Sequence, residues 1–158
     1  MTWHAALFSS QPDKFNKVYQ KTHITEISSR CNLYPELITP QNIVLHLHEL
    51  KRIKYIFSTW RMFTLSEIQL NQLPNLKVLF YVAGATDYFS APLLTRGVKI
   101  VSAWQANSRL FTLPNVQLTT HIAGALNNET RRLANWVINE FQRYLKGLPL
   151  QFDISSPV

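Results

Sequence analysis

The sequence predicts an α/β fold, namely a flavodoxin-like parallel sheet of about five strands with helices on both faces. Short apolar segments alternate along the chain with segments whose apolar residues follow helical spacing, which is typical of a covered parallel sheet. A length of 158 residues suits one domain, and 46% hydrophobic residues are enough for a real core. A charged fraction of only 16% argues against a disordered chain.

Strands and helices are expected to alternate in the first half of the chain. The expected strands are Trp3–Phe8, His23–Ile27 and Ile53–Ser58, and Pro12–Gln20 is expected to form a helix. A second helix should follow Thr39 and Pro40, which suit an N-cap and a first turn. Its apolar residues at helical spacing are Ile43, Val44, Leu47 and Leu50.

The second half continues the alternation. Thr64 and Glu67 match a capping box for a helix that carries Leu65 and Ile68. The further expected elements are strands at Lys77–Val82, Val98–Ser102 and Val116–Thr119, and helices at Ser90–Arg96 and Asn128–Lys146, ended by Gly97 and Gly147. The last helix should bury a face made of Leu133, Val137, Phe141, Tyr144 and Leu145. Ser155–Val158 is expected to be a frayed tail.

Composition disfavours several classes of protein. The net charge of +7 is compatible with nucleic-acid binding. The basic residues are scattered, however, with one cluster at Lys51, Arg52 and Lys54, and this pattern disfavours such binding. The single cysteine, Cys31, is expected to be an ordinary residue. We predict no metal site, since His46 and His48 point to different sides of a helix. No apolar run of bilayer length and no signal peptide are evident, so we expect a cytoplasmic protein without nucleic-acid or membrane partners.

Two segments resemble a known enzyme family. The first runs from Leu73 through the Val82–Ala85 turn to Asn107, and the second runs from Leu113 through Thr119–Gly124 into the last helix. Both resemble the D-isomer-specific 2-hydroxyacid dehydrogenases, which use NAD and carry a dinucleotide-binding domain between these segments. Here they almost meet, at Ala106–Arg109. The resemblance implies a single substrate domain, 1–158, assembled from 1–107 and 108–158 around the site of a missing NAD-binding domain, and the clean junction favours deliberate excision.

The resemblance also implies the site residues. The turn at Val82, Ala83, Gly84 and Ala85 would hold the substrate carboxylate through backbone N–H groups, as small-residue turns can. His121 would be the remnant acid/base, because its Thr-Thr-His-Ile-Ala-Gly setting matches the family's motif apart from Thr120, where proline is usual. Imidazole suits that role near neutral pH. Trp60, after the strand ending at Ser58, would line the substrate cleft.

No cofactor is expected in this chain. The family's NAD site needs a Gly-x-Gly-x-x-Gly turn, and the four glycines lie too far apart to form one. The leading hypothesis is therefore an isolated substrate-binding domain without hydride-transfer activity, which binds a small 2-hydroxy or 2-oxo acid weakly if at all. Two alternatives remain, namely a free-standing flavodoxin-like module that binds a ligand or partner, and an enzyme that borrows a cofactor domain from another chain.

Overall fold

The structure, a computed structural model, describes residues 2–102 and 128–155. These residues form five strands and six helices. In chain order they are β1 (Ala5–Phe8), α1 (Pro12–Val18), α2 (Lys21–Ser28), β2 (Leu33–Ile38), α3 (Ile43–Leu50), β3 (Tyr55–Thr59), α4 (Glu67–Asn71), β4 (Val78–Val82), α5 (Asp87–Thr95), β5 (Lys99–Ser102) and α6 (Asn128–Leu145).

The five strands form one parallel sheet in the order β2-β1-β3-β4-β5. The chain moves outward from β1 to β2 and then crosses back to β3 on the other side of β1. This is the flavodoxin-like order. The predicted fold class is confirmed.

Helices cover both faces of the sheet. One buried cluster joins strand residues such as Phe8 and Ile56 to α3, α4 and α5. The other joins Phe57 and Phe80 to α1, α2 and α6. The ring of Phe141, on α6, is fully buried with its centroid 5.1 Å from that of Phe57 and 5.3 Å from that of Phe80. The apolar face predicted for the last helix thus packs on the sheet, apart from Leu145, which is 43% exposed.

The prediction of a second strand at His23–Ile27 is wrong. This segment is helix α2, which begins with a capping box between Gln20 and His23. The actual second strand, Leu33–Ile38, contains Pro35, which cannot donate to a ladder. It is tolerated because β2 lies at the edge of the sheet.

Some helix starts also differ from prediction. The capping box of α4 uses Ser66 and Gln69, because the helix begins at Glu67, two residues later than predicted. Thr64 instead donates its hydroxyl to the Tyr88 carbonyl oxygen at 2.8 Å. Helix α3 begins at Ile43 with Asn42 as N-cap, and α5 begins at Asp87, earlier than Ser90. The predicted strand 116–119 lies outside the described residues.

Both predicted helix stops are confirmed. Gly97 has φ 72° and Gly147 has φ 67°, in the left-handed region that glycine adopts without a Cβ clash. The helices α5 and α6 end just before them.

A C-terminal tail covers the outer edge of β5. It runs antiparallel to the strand, and Ser102 N–H donates to the Phe152 carbonyl oxygen while Ile154 N–H donates to that of Ile100. The buried Glu140 carboxylate accepts from the N–H groups of Gln151 and Phe152 at 2.7 and 3.2 Å, so α6 holds the tail in place. Ser155, expected to be frayed, accepts a hydrogen bond from Ile100 N–H. Residues 156–158 lie outside the described part.

Candidate functional site at the carboxyl edge of the sheet

The candidate site lies where β1, β3 and β4 end. In an open parallel sheet, ligands bind outside the carboxyl ends of the strands, at the point where the strand order reverses. Here that point lies between β1 and β3. The segments that follow these strands are 9–11, 60–61 and 83–86.

Buried hydroxyl groups fix the strand ends. Ser58 donates to the Phe8 carbonyl oxygen at 2.6 Å, and Thr59 donates to that of Val82 at 2.9 Å. Each bond joins two neighbouring strands just where the regular ladder stops. Buried side-chain hydrogen bonds therefore hold the ends of these strands together.

The turn after β4 is shaped as an anion cradle. Ser102, at the end of β5, donates its hydroxyl to the carbonyl oxygens of Ala83 and Gly84 at 2.8 and 3.2 Å, so both carbonyl groups point toward β5. No described residue accepts a hydrogen bond from the N–H groups of Gly84 or Ala85. Gly84 is half-buried and Ala85 is exposed, so a carboxylate can approach these donors.

The start of α5 adds to the cradle. Thr86 is the N-cap but its side chain caps no N–H group, which leaves the first turn of the helix open to an anion. Asp87 stands in that first turn with an exposed side chain, and its negative charge opposes an incoming anion. The cradle therefore suits a small anion, held weakly.

Arg61 is a feature that sequence reasoning missed. Its φ is 67°, in the left-handed region that costs a side chain with a Cβ energy. Ser10 holds this conformation by donating its N–H and its hydroxyl to the Arg61 carbonyl oxygen, at 3.1 and 2.7 Å. The guanidinium is exposed, so the strained backbone presents a positive charge at the carboxyl edge. Nothing in the sequence marks this residue, because glycine or asparagine usually occupies such a position.

A pair of tyrosines lies beside Arg61. The hydroxyl oxygens of Tyr81 and Tyr88 are 3.1 Å apart. Burial raises the pKa of Tyr81, the hydrogen bond to Tyr88 adds to the rise, and the charge of Arg61 opposes it. Tyr81 therefore stays protonated as a hydrogen-bond donor over the physiological range.

Gln11 places an unpaired acceptor at the same edge. Its backbone N–H donates to the Ser9 hydroxyl at 3.1 Å, which fixes the segment after β1. Its side-chain Oε1 is buried and receives no hydrogen bond from the residues that the structure describes. Such an orphaned acceptor is rare, and it fits a ligand or water that supplies a donor.

The predicted site residues are only partly brought together. Val82 is the last residue of β4, and Ala83, Gly84 and Ala85 form the turn described above, one strand away from Trp60. The Trp60 ring packs against both core clusters and is half-buried, so it seals the end of the sheet beside the turn. His121 and the junction 106–109 lie outside the described residues.

Other candidate residues have structural surroundings. Burial raises the pKa of the Cys31 thiol to about 11, which makes it a poor nucleophile and agrees with its predicted ordinary role. His46 Nδ1 lies 2.7 Å from the Tyr34 hydroxyl. Within 2–102 and 128–155 no cluster of three or more potential ligands could hold a metal ion. None of the described helices has both the length and the apolar character to cross a membrane.

The chain was compared with known proteins. No protein-family model matches it, and no curated protein does. Similar solved structures come from the D-isomer-specific 2-hydroxyacid dehydrogenases and related oxidoreductases. A phosphoglycerate oxidoreductase from Rhizobium etli is 18% identical with a TM-score of 0.49, over 63% of this chain and 30% of its own.

Two further structures have similar values. The NAD-dependent formate dehydrogenase from Staphylococcus aureus is 14% identical with a TM-score of 0.46, over 68% of this chain and 33% of its own. A D-isomer specific 2-hydroxyacid dehydrogenase family protein from Klebsiella pneumoniae is 16% identical with a TM-score of 0.37, over 96% and 55%. In the phosphoglycerate oxidoreductase from Rhizobium etli and in similar structures, the matched region spans only about a third of the other chain. At these values the similarity assigns neither an activity nor a substrate to this chain.

Proposed function

We propose that this chain is the substrate-binding domain of an NAD-dependent D-2-hydroxyacid dehydrogenase, and that by itself it binds a 2-oxo or 2-hydroxy acid weakly. The observation that carries the proposal is the turn after β4. Ser102 turns its carbonyl groups away while the N–H groups of Gly84 and Ala85 face no acceptor among the described residues. A carboxylate is the group that such a turn would hold.

The exposed Arg61 charge and the orphaned Gln11 acceptor support the same reading. A 2-oxo acid has a carboxylate for the turn, and a 2-hydroxy acid has in addition a hydroxyl donor for an acceptor. The resemblance of His121 and its neighbours to the family's acid/base motif adds the group that would transfer the proton.

The described residues do not fit NAD. A dinucleotide site needs a glycine-rich turn after β1, so that the backbone can approach the pyrophosphate. Here β1 is followed by Ser9, Ser10 and Gln11, and no glycine lies near. Hydride transfer would therefore need a separate dinucleotide-binding domain, and we expect no saturable binding of NADH tighter than about 100 μM.

A titration with pyruvate tests the proposal. Pyruvate should shift the backbone amide resonances of Gly84 and Ala85 saturably, with a Kd on the order of 1–10 mM. Ser102→Ala should weaken this binding several-fold, because the turn loses the hydroxyl that orients it. The matched control is Thr95→Ala, which removes a hydroxyl bonded to the Ala91 carbonyl oxygen at the far end of α5 and should leave pyruvate binding unchanged.

Two results would contradict the proposal. One is the absence of any saturable shift at these amides, and the other is an equal shift with acetate, chloride and pyruvate. The second result would favour the alternative of a free-standing module whose turn attracts any anion. Binding of NADH at the carboxyl edge would refute the absence of a cofactor site.

A further inference from the structure

A second concave site lies at the opposite, amino edge of the sheet. It is a cavity of about 450 Å³, which falls in the range of small-molecule sites. It is lined by Thr2, Trp3, His48, Glu49, Lys51 and Arg52. These residues come just before β1, from the last turn of α3 and just after α3, so the full length of the strands separates the cavity from the turn at Gly84.

A row of lysines continues from this cavity along the amino edge. Lys54 N–H donates to the His4 carbonyl oxygen at 2.7 Å, Lys77 N–H to that of Lys54 at 2.9 Å, and Lys99 N–H to that of Lys77 at 2.8 Å. Lys54 and Lys77 are therefore neighbours across β3 and β4. The residues after them, Tyr55 and Val78, belong to the cluster under α6, so strand alternation places both lysines on the α3 side, with Lys51 and Arg52.

The charges of this row are not balanced. Lys99 is paired with Asp153 at 2.8 Å. No described carboxylate lies within ion-pair distance of Lys51, Arg52, Lys54 or Lys77. Neighbouring like charges repel one another, and this repulsion is relieved when an anion binds between them.

The C-terminal end of α3 weakens the attraction of an anion to this cavity only in part. Its last carbonyl groups carry partial negative charge, and Glu49 adds a carboxylate to the cavity lining. One of these carbonyl groups, that of Lys51, is occupied by Asn75 Nδ2 at 3.1 Å. Two cations, Lys51 and Arg52, line the cavity against the one carboxylate of Glu49, and Lys54 and Lys77 add positive charge beyond the lining.

We propose that the amino-edge cavity binds a nucleoside triphosphate. The phosphates would contact Lys51 and Arg52, with Lys54 and Lys77 adding to the attraction, and the base would lie against the Trp3 ring. Trp3 is half-buried and its ring meets that of Tyr34 edge to face, at a centroid distance of 5.5 Å, so it is already held in place. A nucleic acid fits less well, because polymer binding needs a long basic track with several stacking rings, and here the cavity is lined by one tryptophan.

Calorimetry with ATP, inorganic tripolyphosphate and adenosine tests the proposal in moderate salt. ATP should bind saturably with a Kd below about 1 mM, tripolyphosphate should bind at least about threefold more weakly, and adenosine alone should bind hardly at all. Lys51→Ala/Arg52→Ala should weaken ATP binding at least about tenfold. The matched control is Lys14→Ala/Lys17→Ala, which removes two exposed lysines from α1 on the other face and should leave the Kd unchanged.

Other results would overturn it. No saturable binding of ATP would refute the site, and so would an equal loss of affinity in both double variants, since that indicates a diffuse charge effect. Equal affinity for ATP and tripolyphosphate would remove the role of Trp3. A single-stranded oligonucleotide that binds more tightly than ATP would mean that the surface serves a nucleic acid. Pyruvate shifts at Gly84 should be the same in the Lys51→Ala/Arg52→Ala variant, so this test and that of the proposed function fail separately.

Discussion

The two edges of the sheet differ in how they are held and in how they are charged. At the carboxyl edge, buried hydroxyl groups of Ser58, Thr59 and Ser102 satisfy carbonyl groups of the neighbouring strand or turn. At the amino edge, backbone bonds link the residues before the strands, and lysines such as Lys54 and Lys77 have no ion-pair partner among the described residues. The carboxyl edge is preorganised by short-range bonds and exposes the opposite charges of Arg61 and Asp87, while the amino edge exposes several like charges that attract an anion at long range. Single hydrogen bonds should therefore govern the first edge, and charge and salt the second.

The largest effect is expected from a substitution in the core beneath α6, because this core supports both edges of the sheet. Phe141→Ala should lower the free energy of unfolding by about 3–5 kcal/mol, since the ring is fully buried between Phe57 and Phe80. Leu145→Ala, on the same helix but 43% exposed, is the control and should cost far less. Denaturant unfolding measures both. A change below 1 kcal/mol for Phe141→Ala would mean that α6 does not close the core.

The next effect is specific to the carboxyl edge. Ser58→Ala should cost about 1–3 kcal/mol, because the Phe8 carbonyl oxygen loses a buried donor at 2.6 Å. The loss should be the same at low and high salt. Ser29→Ala removes an exposed hydroxyl bonded to the Glu26 carbonyl oxygen and should change stability by less than about 0.5 kcal/mol. Equal losses in the two variants would show that burial of the hydroxyl is unimportant.

A smaller effect is expected at Arg61, where one substitution should raise stability and weaken binding. Arg61→Gly removes the strain of the left-handed backbone conformation, which costs the folded state about 1–3 kcal/mol. The greater entropy of glycine in the unfolded state offsets only about 0.5–1 kcal/mol of this gain. The variant should melt at a higher temperature and bind pyruvate more weakly. Arg61→Lys keeps both the strain and the charge, and serves as control. A glycine variant that is less stable would mean that the Arg61 side chain contributes more than its backbone costs.

The smallest expected effect is a pH-dependent change in stability at the amino edge, where Asp153 pairs with Lys99. Burial alone would raise the pKa of Asp153, but hydrogen bonds from Lys99 and from Ser155 outweigh it and hold the pKa below its ordinary value. A depressed pKa stabilises the fold above the ordinary value of about 3.9, and this contribution is lost as the pH falls through the lower folded value. Asp153→Asn should therefore lose less stability than the unchanged chain between pH 5 and about 2.

The expected difference for Asp153 is at most about 1 kcal/mol, because Lys99 is half exposed to water. Unfolding curves at a series of pH values measure it. Parallel curves for the two proteins would show that the ion pair has no net effect.

Much of the fold was predictable because short-range patterns decide it. The buried strands β3 and β4 are short apolar runs, and Gly97 and Gly147 mark helix ends by a conformation that other residues avoid. The second strand was missed because an edge position, which depends on the whole sheet, tolerates Pro35. In His23–Ile27 the apolar residues Ile24 and Ile27 are three residues apart, as on one face of a helix, and the cap at Gln20 and the burial of Ile27 against the sheet favour that helix.

The candidate site was predictable only as far as the resemblance reached. It indicated the Val82–Ala85 turn, whose small residues mark close approach. Arg61 and Gln11 carried no signal, because the conformation of one and the orphaned oxygen of the other arise from contacts between β1 and β3 that are distant in sequence. The amino-edge lysines looked scattered, because the register that aligns Lys54 with Lys77 exists only in the sheet.

The tail that covers β5 has a consequence for synthesis in the cell. A ribosome completes β5 long before it makes Phe152 and Ile154, whose backbone groups pair with that strand. Until then the nascent sheet has an exposed edge on this side, as well as the β2 edge, and exposed edges recruit other strands. The Glu140 carboxylate, made only shortly before the tail, then fixes it in place. Slow translation of the roughly fifty residues between Ser102 and Phe152 should therefore promote aggregation of nascent chains, and a holdase chaperone that masks β5 should suppress it.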